Sequence, residues 1–482
     1  MLELPAQGRA REDVLAAMRA ARDGDVAWQQ GRAFGLVYHI SKEIDALLKD
    51  AYTLFFSENG LNPTAFPSLR KFETEVVAMA ASLLGGDGDV VGTMTSGGTE
   101  SDLMAVKTAR DWARHHRPEV REPELVMPVT AHPAFDKAGD YFGVRIVHVP
   151  VRPDFRADVD AMRAAITPNT IMLAASAPAY PHGVVDPIRE LAGVAQAHGL
   201  LFHVDACVGG FMLPFVRQLG YPIPDFDFSV PGVTSISADL HKFGYAAKPA
   251  SLILYRAPEL RRHQFFVHID WPGGIYPSTA MTGTRPGGPV AAAWALMNYL
   301  GMEGYRHIAD VVMQTTRKMQ TGIDAIPGVQ VLSDPEMSVF AIGPDGVDVY
   351  AVADEMALRG WHFDRQHFPA SLHMTVNYVH TGVVDEFLAD LETSVAAVRR
   401  SRLRRGVDRT LIKTANAAVG LLPERWVSKL MGKASGLLGG SGDLPGHMAP
   451  IYGLIGTLPN RGDVRELVLD LIDGIFRYRP TE

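Results

Sequence analysis

The chain has 482 residues, 47% of them hydrophobic and 21% charged, the balance of an ordinary globular protein long enough for more than one domain. Its 46 Lys and Arg against 54 Asp and Glu leave a formal charge of -8, spread along the chain, which argues against a nucleic-acid partner. The single cysteine, Cys207, excludes an intramolecular disulfide and multi-cysteine zinc or iron–sulfur sites, and fits a reducing compartment.

Residues 1–10 carry no apolar leader, and no window of about 18 uninterrupted apolar residues occurs, so a cytoplasmic protein without a transmembrane segment is expected. Residues 1–60 read as an arm, with helical patterns from Asp13 to Arg22 and from Ser41 to Leu54 and a turn at Asn59-Gly60-Leu61-Asn62-Pro63. Residues 61–300 read as a large domain. Short β-rich runs at Leu125–Val129, Val144–Val149, Ile171–Ala175, Leu200–Val204, Val233–Ser237 and Leu252–Tyr255 alternate there with helical stretches, the pattern of an α/β fold with a mostly parallel sheet. A loop at Thr282–Pro289 precedes an apolar helix at Val290–Leu300. Residues 301–482 read as a smaller C-terminal α+β domain, with strands at Val329–Leu332 and Val339–Ile342. Within it, the basic run Arg399 to Arg405 reads as a solvated helix face and Ser435–Gly442 as a linker. The apolar residues of Leu411–Leu438 are interleaved with Lys413, Arg425, Lys429 and Lys433; they either pack on the small domain or touch a membrane interface.

Three separated signals point to one cofactor. Thr95-Ser96-Gly97-Gly98-Thr99-Glu100-Ser101 leads into a helix former, where glycines permit close approach and the helix N-terminus attracts phosphate; read alone, it is also an ordinary cap. Asp205 follows the apolar run Leu200–Val204, at the strand end where open α/β sheets bind ligands. It either pairs with a pyridine nitrogen, which keeps a pyridoxal 5'-phosphate (PLP) ring an electron sink, or caps a helix. Lys242, in Ser237-Ala238-Asp239-Leu240-His241-Lys242, is a candidate Schiff-base lysine 37 positions after Asp205. Phosphate, ring nitrogen and aldehyde would be its three handles. His132, after an apolar strand, either lies on the ring face or is a surface histidine.

No metal site is expected. The 17 histidines include no H-E-x-x-H motif, His115-His116 has no nearby carboxylate at ligand spacing, and His362, Asp364 and His367 match no ligand pattern. No G-x-S-x-G elbow is present.

With these residues the chain resembles the PLP-dependent fold-type I enzymes of the group II decarboxylase branch, and within it the lyases of phosphorylated long-chain bases. The resemblance covers roughly residues 30–395 and returns at Ala449-Pro450-Ile451-Tyr452-Gly453. It includes Phe66-Pro67-Ser68-Leu69-Arg70-Lys71-Phe72-Glu73, Pro181-His182-Gly183-Val184-Val185-Asp186-Pro187, and the run from Gln264 to Tyr276.

The resemblance implies that Lys242 holds PLP, Asp205 pairs with its ring nitrogen and His132 stacks on the ring. Gly97, Gly98, Thr99 and His241 would bind the cofactor phosphate, and Thr284 would reach it from the other subunit of a homodimer. Lys248, six residues after Lys242, and Tyr38 in Gly35-Leu36-Val37-Tyr38 match lyase positions that serve the substrate phosphate and the cleavage step. Tyr38 is the first candidate for proton handling and Tyr180 the second. Where the lyases carry His-Pro this chain has Asn62-Pro63, a neutral hydrogen-bonding group at a substrate-binding position. The implied reaction is retro-aldol cleavage of sphingosine 1-phosphate, or a similar base, to a long-chain aldehyde and phosphoethanolamine. The alternative is amino-acid decarboxylation on the same fold.

Overall fold

The structure, a computed structural model, describes residues 3–404 apart from Pro63, together with parts of the stretch 465–478. Arg405, the segments 411–438 and 435–442 and the 449–453 motif lie outside the described residues.

Seven strands form the main sheet: β1 Val91–Thr95, β2 Glu124–Pro128, β3 Arg145–Val149, β4 Thr170–Ser176, β5 Leu201–Asp205, β6 Ser235–Ala238 and β7 Ser251–Tyr255. Their order is β1-β7-β6-β5-β4-β2-β3. Strands β3, β2, β4, β5 and β6 are parallel, while β7 runs antiparallel between β6 and β1. Successive side chains face opposite sides, so Val126, Leu173, Val204, Ile236 and Leu252 enter one core. Leu125, Met127, Met172, Ala174 and Ile253 enter another. Covered on both faces, β4 is buried along its whole length, as a parallel-sheet strand should be.

Two features depart from the sequence pattern. Strand β1, Val-Gly-Thr-Met-Thr, is too polar to stand out as an apolar run, yet its five residues pair with β7 throughout. Residues 239–250 form turns and irregular backbone with no crossover helix, so β7 returns antiparallel to β6 rather than joining the parallel set.

Beyond the sheet, an exposed hairpin joins β8 Phe266–His268 to β9 Tyr276–Ser278. The helix expected at Val290–Leu300 is the first part of Gly287–Asp324, which breaks at Gly301. A φ of 55 there is the left-handed conformation that glycine adopts without a Cβ penalty. A second, antiparallel sheet contains β10 Val329–Val331, β11 Val339–Pro344, β12 Asp364–Gln366 and β13 Ser371–Thr375, in the order β10-β11-β13-β12. Its core includes Phe340, Ile342, Leu372, Met374, Trp361 and Phe387.

The N-terminal segment divides in its attachments. Helix Arg11–Ala21 buries nothing, and Ser41 caps Lys42–Leu54 by accepting from the Ile44 amide at 3.3 Å. Phe34, between them, enters the core of the second sheet and stacks 4.5 Å from His380 and 5.3 Å from Phe363.

Candidate active site

Because β7 is antiparallel to both neighbours, β1 runs parallel to β6 and the C-terminal ends of β1, β2, β4, β5 and β6 share one edge. Ligands bind at that edge in open α/β sheets. The segments leaving these strands enclose a cavity of about 300 Å³ that includes Gly97, Gly98, Thr99, His132, Tyr180 and Asp205, with His241 and Lys242 closing it. The structure thus brings eight of the sequence-derived candidates to one place.

After β1 the chain turns through Ser96 and Gly97 into helix Gly98–His116, whose start no side chain caps. Its first N–H groups and the positive end of its dipole are therefore directed to an anion. Glu100, in the first turn, holds the turn together by accepting from the Ser96 amide at 2.6 Å and the Met281 amide at 2.8 Å. Ser101 links Thr95 at 2.6 Å to Ser251 at 2.8 Å, tying the helix start to β1 and β7. A Cβ on Gly98 would stand 2.6 Å from the Cys207 sulfur, so the cup tolerates little more than glycine there.

Asp205 accepts from the Cys207 amide at 2.9 Å and from the Ser237 hydroxyl at 3.4 Å. The next helix starts only at Leu213, so Asp205 is not a helix cap. Asp102 lies 3.4 Å from His203 Nε2. Burial and the Asp205 charge push the Asp102 carboxyl up, while burial lowers His203 to about 4. With its imidazole neutral, His203 forms no ion pair with Asp102.

Lys242 Nζ is 2.8 Å from the buried carboxylate of Asp239. Burial works against the ammonium, but Asp239, Cys207 and Tyr38 together hold the Lys242 pKa well above its ordinary value. The Asp239 carboxyl is lowered in return, against its own burial, chiefly by the charge of Lys242. His241 accepts from the Ala250 amide through Nδ1 at 3.0 Å, and burial lowers its pKa; both make it neutral. His132 likewise accepts through Nδ1, from the Ala134 amide at 3.1 Å.

Two tyrosines flank this centre. Tyr38 packs edge-on against Phe243 at 5.0 Å, and burial, tempered by the charge of Lys242, pushes its phenol up to about 12. Tyr180 donates to Asp364 at 3.1 Å and stacks on His373 at 3.9 Å; burial and the Asp364 charge raise it too. Lys248 donates to the Leu36 carbonyl, so it meets the arm that carries Tyr38.

Asn62 and Thr284 do not line this cavity. Asn62 accepts from the Thr64 amide at 2.9 Å and hydroxyl at 2.7 Å, beside Arg285 in a separate pocket. Thr284 donates to Asn59 at 3.1 Å. Conversely, Asp102, Cys207 and Asp239 line the cavity without having been singled out. For Asp239 the signal was present, an acid one helical turn before a candidate Schiff-base lysine. Asp102 reads simply as a helical aspartate.

These residues fit PLP: an amine in a cavity, a buried carboxylate at a strand end, and a glycine turn at an uncapped helix start, one for each handle of the cofactor.

Comparison with known proteins agrees. The family described as "Pyridoxal-dependent decarboxylase conserved domain" matches residues 6–342. A sphingosine-1-phosphate lyase of Oryza sativa is 42% identical over 98% of this chain and 81% of its own. One of Rattus norvegicus is 44% identical over 83% of this chain and 70% of its own. The solved structure of a sphingosine-1-phosphate lyase of Burkholderia pseudomallei superposes with a TM-score of 0.80 at 41% identity, covering 85% of this chain and 96% of that one. Fold, cavity and relatives converge: the chain belongs to the pyridoxal-dependent decarboxylase family, in its sphingosine-1-phosphate lyase branch, and is a PLP-dependent enzyme.

Proposed function

We propose that the protein is a carbon–carbon lyase that cleaves sphingosine 1-phosphate, or a similar phosphorylated long-chain base, to a long-chain aldehyde and phosphoethanolamine. The observation that carries this reading is the contact between Lys248 and the Leu36 carbonyl. It joins the two features that separate the lyases from their decarboxylase cousins, the second lysine and the Gly35–Tyr38 arm, beside Lys242. Among the described residues Lys248 forms no ion pair with a carboxylate, so its cation is left for a substrate phosphate.

Lys242 would hold the cofactor covalently, Asp205 would pair with its ring nitrogen, and His132 would cover the ring. Gly97, Gly98, Thr99 and His241 would take its phosphate. When bound, PLP supplies the sink for the electron pair left at C2. The chain's own task is to orient the C2–C3 bond and manage two protons, one leaving the C3 hydroxyl and one arriving at C2. The raised phenols of Tyr38 and Tyr180 are protonated at neutral pH. They are suited to hold the C3 oxygen and to return a proton, with the hydrogen bond from Tyr180 to Asp364 offering an exit for charge.

A homodimer with shared sites completes the reading. Thr284 lies outside its own chain's cavity, and the neighbouring hairpin exposes Phe266, Val267, Ile269, Trp271 and Ile275, an apolar surface that a second subunit would cover. Among the described residues no helix is long and apolar enough to cross a membrane. A cytoplasmic enzyme reaching its lipid at an interface, through residues 411–438, is the corresponding proposal, tested by liposome flotation.

The deciding experiment offers phosphorylated and unphosphorylated long-chain bases beside glutamate, aspartate and tyrosine. Aldehyde from the phosphorylated base alone is expected. Carbon dioxide from an amino acid, without aldehyde, would make the enzyme a decarboxylase.

A further inference from the structure

We propose that His373, acting through the Thr375 hydroxyl, is the positioning residue that aims the Tyr38 phenol into the cofactor cavity, an inference that rests on the proposed lyase reaction. Strand β13 reads Ser-Leu-His-Met-Thr. Successive side chains face opposite sides, so Leu372 and Met374 enter the core of the second sheet while Ser371, His373 and Thr375 share the other face. The register sets Asp364 opposite His373 and Gln366 opposite Ser371, which adds two more polar groups to that face. Ser371, His373 and Thr375 are nonetheless buried, at 0%, 0% and 1% exposure. A strand face that is polar and fully covered gains little from the hydrophobic effect and must find a partner for each group it buries.

The hydrogen bonds on this face run in one direction. Gln366 Nε2 donates to the Pro181 carbonyl at 3.0 Å, and Gln366 Oε1 accepts from the Ser371 hydroxyl at 3.0 Å. Those two partners fix which end of the amide is which. The same Nε2 lies 3.2 Å from His373 Nδ1. An amide nitrogen only donates, so Nδ1 accepts, and in a neutral imidazole Nε2 then carries the hydrogen. Burial keeps the ring neutral, lowering its pKa to about 3. The Nε2–H donates to Thr375 Oγ1 at 2.7 Å. The Thr375 hydroxyl in turn gives its own hydrogen to Tyr38, a bond that favours the phenolate and opposes the rise caused by burial. A phenol oxygen that accepts from this side keeps its hydrogen for the cavity.

Two further contacts hold the same parts. Asn377, two positions beyond Thr375, donates to the Val37 carbonyl at 3.4 Å, which ties the backbone just before Tyr38 to the end of β13. The His373 ring stacks on Tyr180 at 3.9 Å with 19° between the planes, and Tyr180 donates to Asp364, the residue opposite His373 in the sheet. One imidazole thus braces both phenols. No proton leaves it: His373 and Thr375 orient, and the phenols handle the protons.

The test is a double-mutant cycle on PLP-saturated enzyme with the phosphorylated long-chain base, read as kcat and KM separately. Thr375→Val keeps the shape and removes the hydroxyl. It should lower kcat about tenfold or more with KM and the cofactor absorbance unchanged, and Thr375→Ser should bring kcat back to within about threefold of wild type. His373→Phe, which leaves a ring under Tyr180 but no donor, should show the same loss as Thr375→Val. In a Tyr38→Phe background neither substitution should lower kcat further, because the group they act through is gone. Wild-type kcat in Thr375→Val or His373→Phe, a loss that serine does not restore, or losses that add in full to that of Tyr38→Phe overturn the proposal and leave the lyase reading standing. No aldehyde from the wild-type enzyme would sink the lyase reading itself, and undiminished turnover in Tyr38→Phe alone would remove both the tyrosine and its positioning pair from the chemistry.

Discussion

Replacing Gly98 by alanine puts a methyl group 2.6 Å from the Cys207 sulfur and 3.0 and 3.1 Å from the Asp239 carboxylate oxygens. The backbone at Gly98 is not left-handed, and alanine is the better helix former, so any loss comes from space alone. Ordinary contact begins near 3.4 Å, and the sulfur must retreat by roughly 0.8 Å or the helix start must move. Overpacking of this kind costs about 1–3 kcal/mol. In the apoenzyme the thiol can turn into the cavity it lines, whereas a bound cofactor blocks that escape. The strain therefore falls on binding, and PLP affinity should drop by about 5- to 150-fold while the apoenzyme's Tm changes little. Titration of apoenzyme with PLP, followed by absorbance, measures the first, and thermal unfolding the second. Gly98→Ala/Cys207→Ala should recover the larger part of the affinity. Wild-type affinity in the single variant, or no recovery in the double, would refute the reasoning.

Tyr38→Phe should lower turnover of the phosphorylated base about a hundredfold, the ordinary scale of a lost proton-transfer group, with PLP binding unchanged. Equal turnover in the two proteins removes Tyr38 from the chemistry. Lys248→Gln should reduce kcat/KM for the phosphorylated base by ten- to a hundredfold, as expected for a charge-assisted hydrogen bond of about 1.5–3 kcal/mol. Steady-state kinetics that show no change, or a decrease arising wholly in kcat, would exclude a phosphate-binding role. Stability should fall as pH drops from about 6.5 toward 4. Burial holds His182, His203 and His380 near 4 and His373 near 3, so over that window the unfolded chain binds protons that the folded one refuses. Asp186, raised to about 6 by burial, works the other way between about 4 and 6, because its folded form takes the proton first. Denaturant midpoints measured across that window should decline toward acid, and less steeply in His203→Gln.

The parallel part of the sheet was legible because burial on both faces demands runs such as Thr170–Ser176, which stand out in any hydropathy pattern. Strand β1 was not, since its partner β7 lies 160 positions away (251 − 91 = 160) and a Gly-Thr-Met-Thr string has no periodicity to betray it. The cofactor cavity was legible where chemistry restricts residue type: two glycines at a helix start, an aspartate at a strand end, a lysine on a turn. Asp102 escaped because its importance is tertiary: it becomes special only where helix Gly98–His116 meets β5 and β6. Asn62 and Thr284 show the converse, motif positions that this chain alone does not bring to the cavity.

Phe34, stacked on His380 and Phe363 and edge-on to Phe387, has a mechanical meaning. Four positions later the same strap presents Tyr38 to Lys242, and the second sheet presents Asp364 and His373 to Tyr180. The strap is therefore pinned at both ends, at Phe34 to the C-terminal layer and at Leu36 and Tyr38 to the layer that holds the lysine. Tyr38 and Tyr180 thus each bridge the two layers beside the amine, so the fit of the C-terminal layer onto the main sheet sets where both phenols stand.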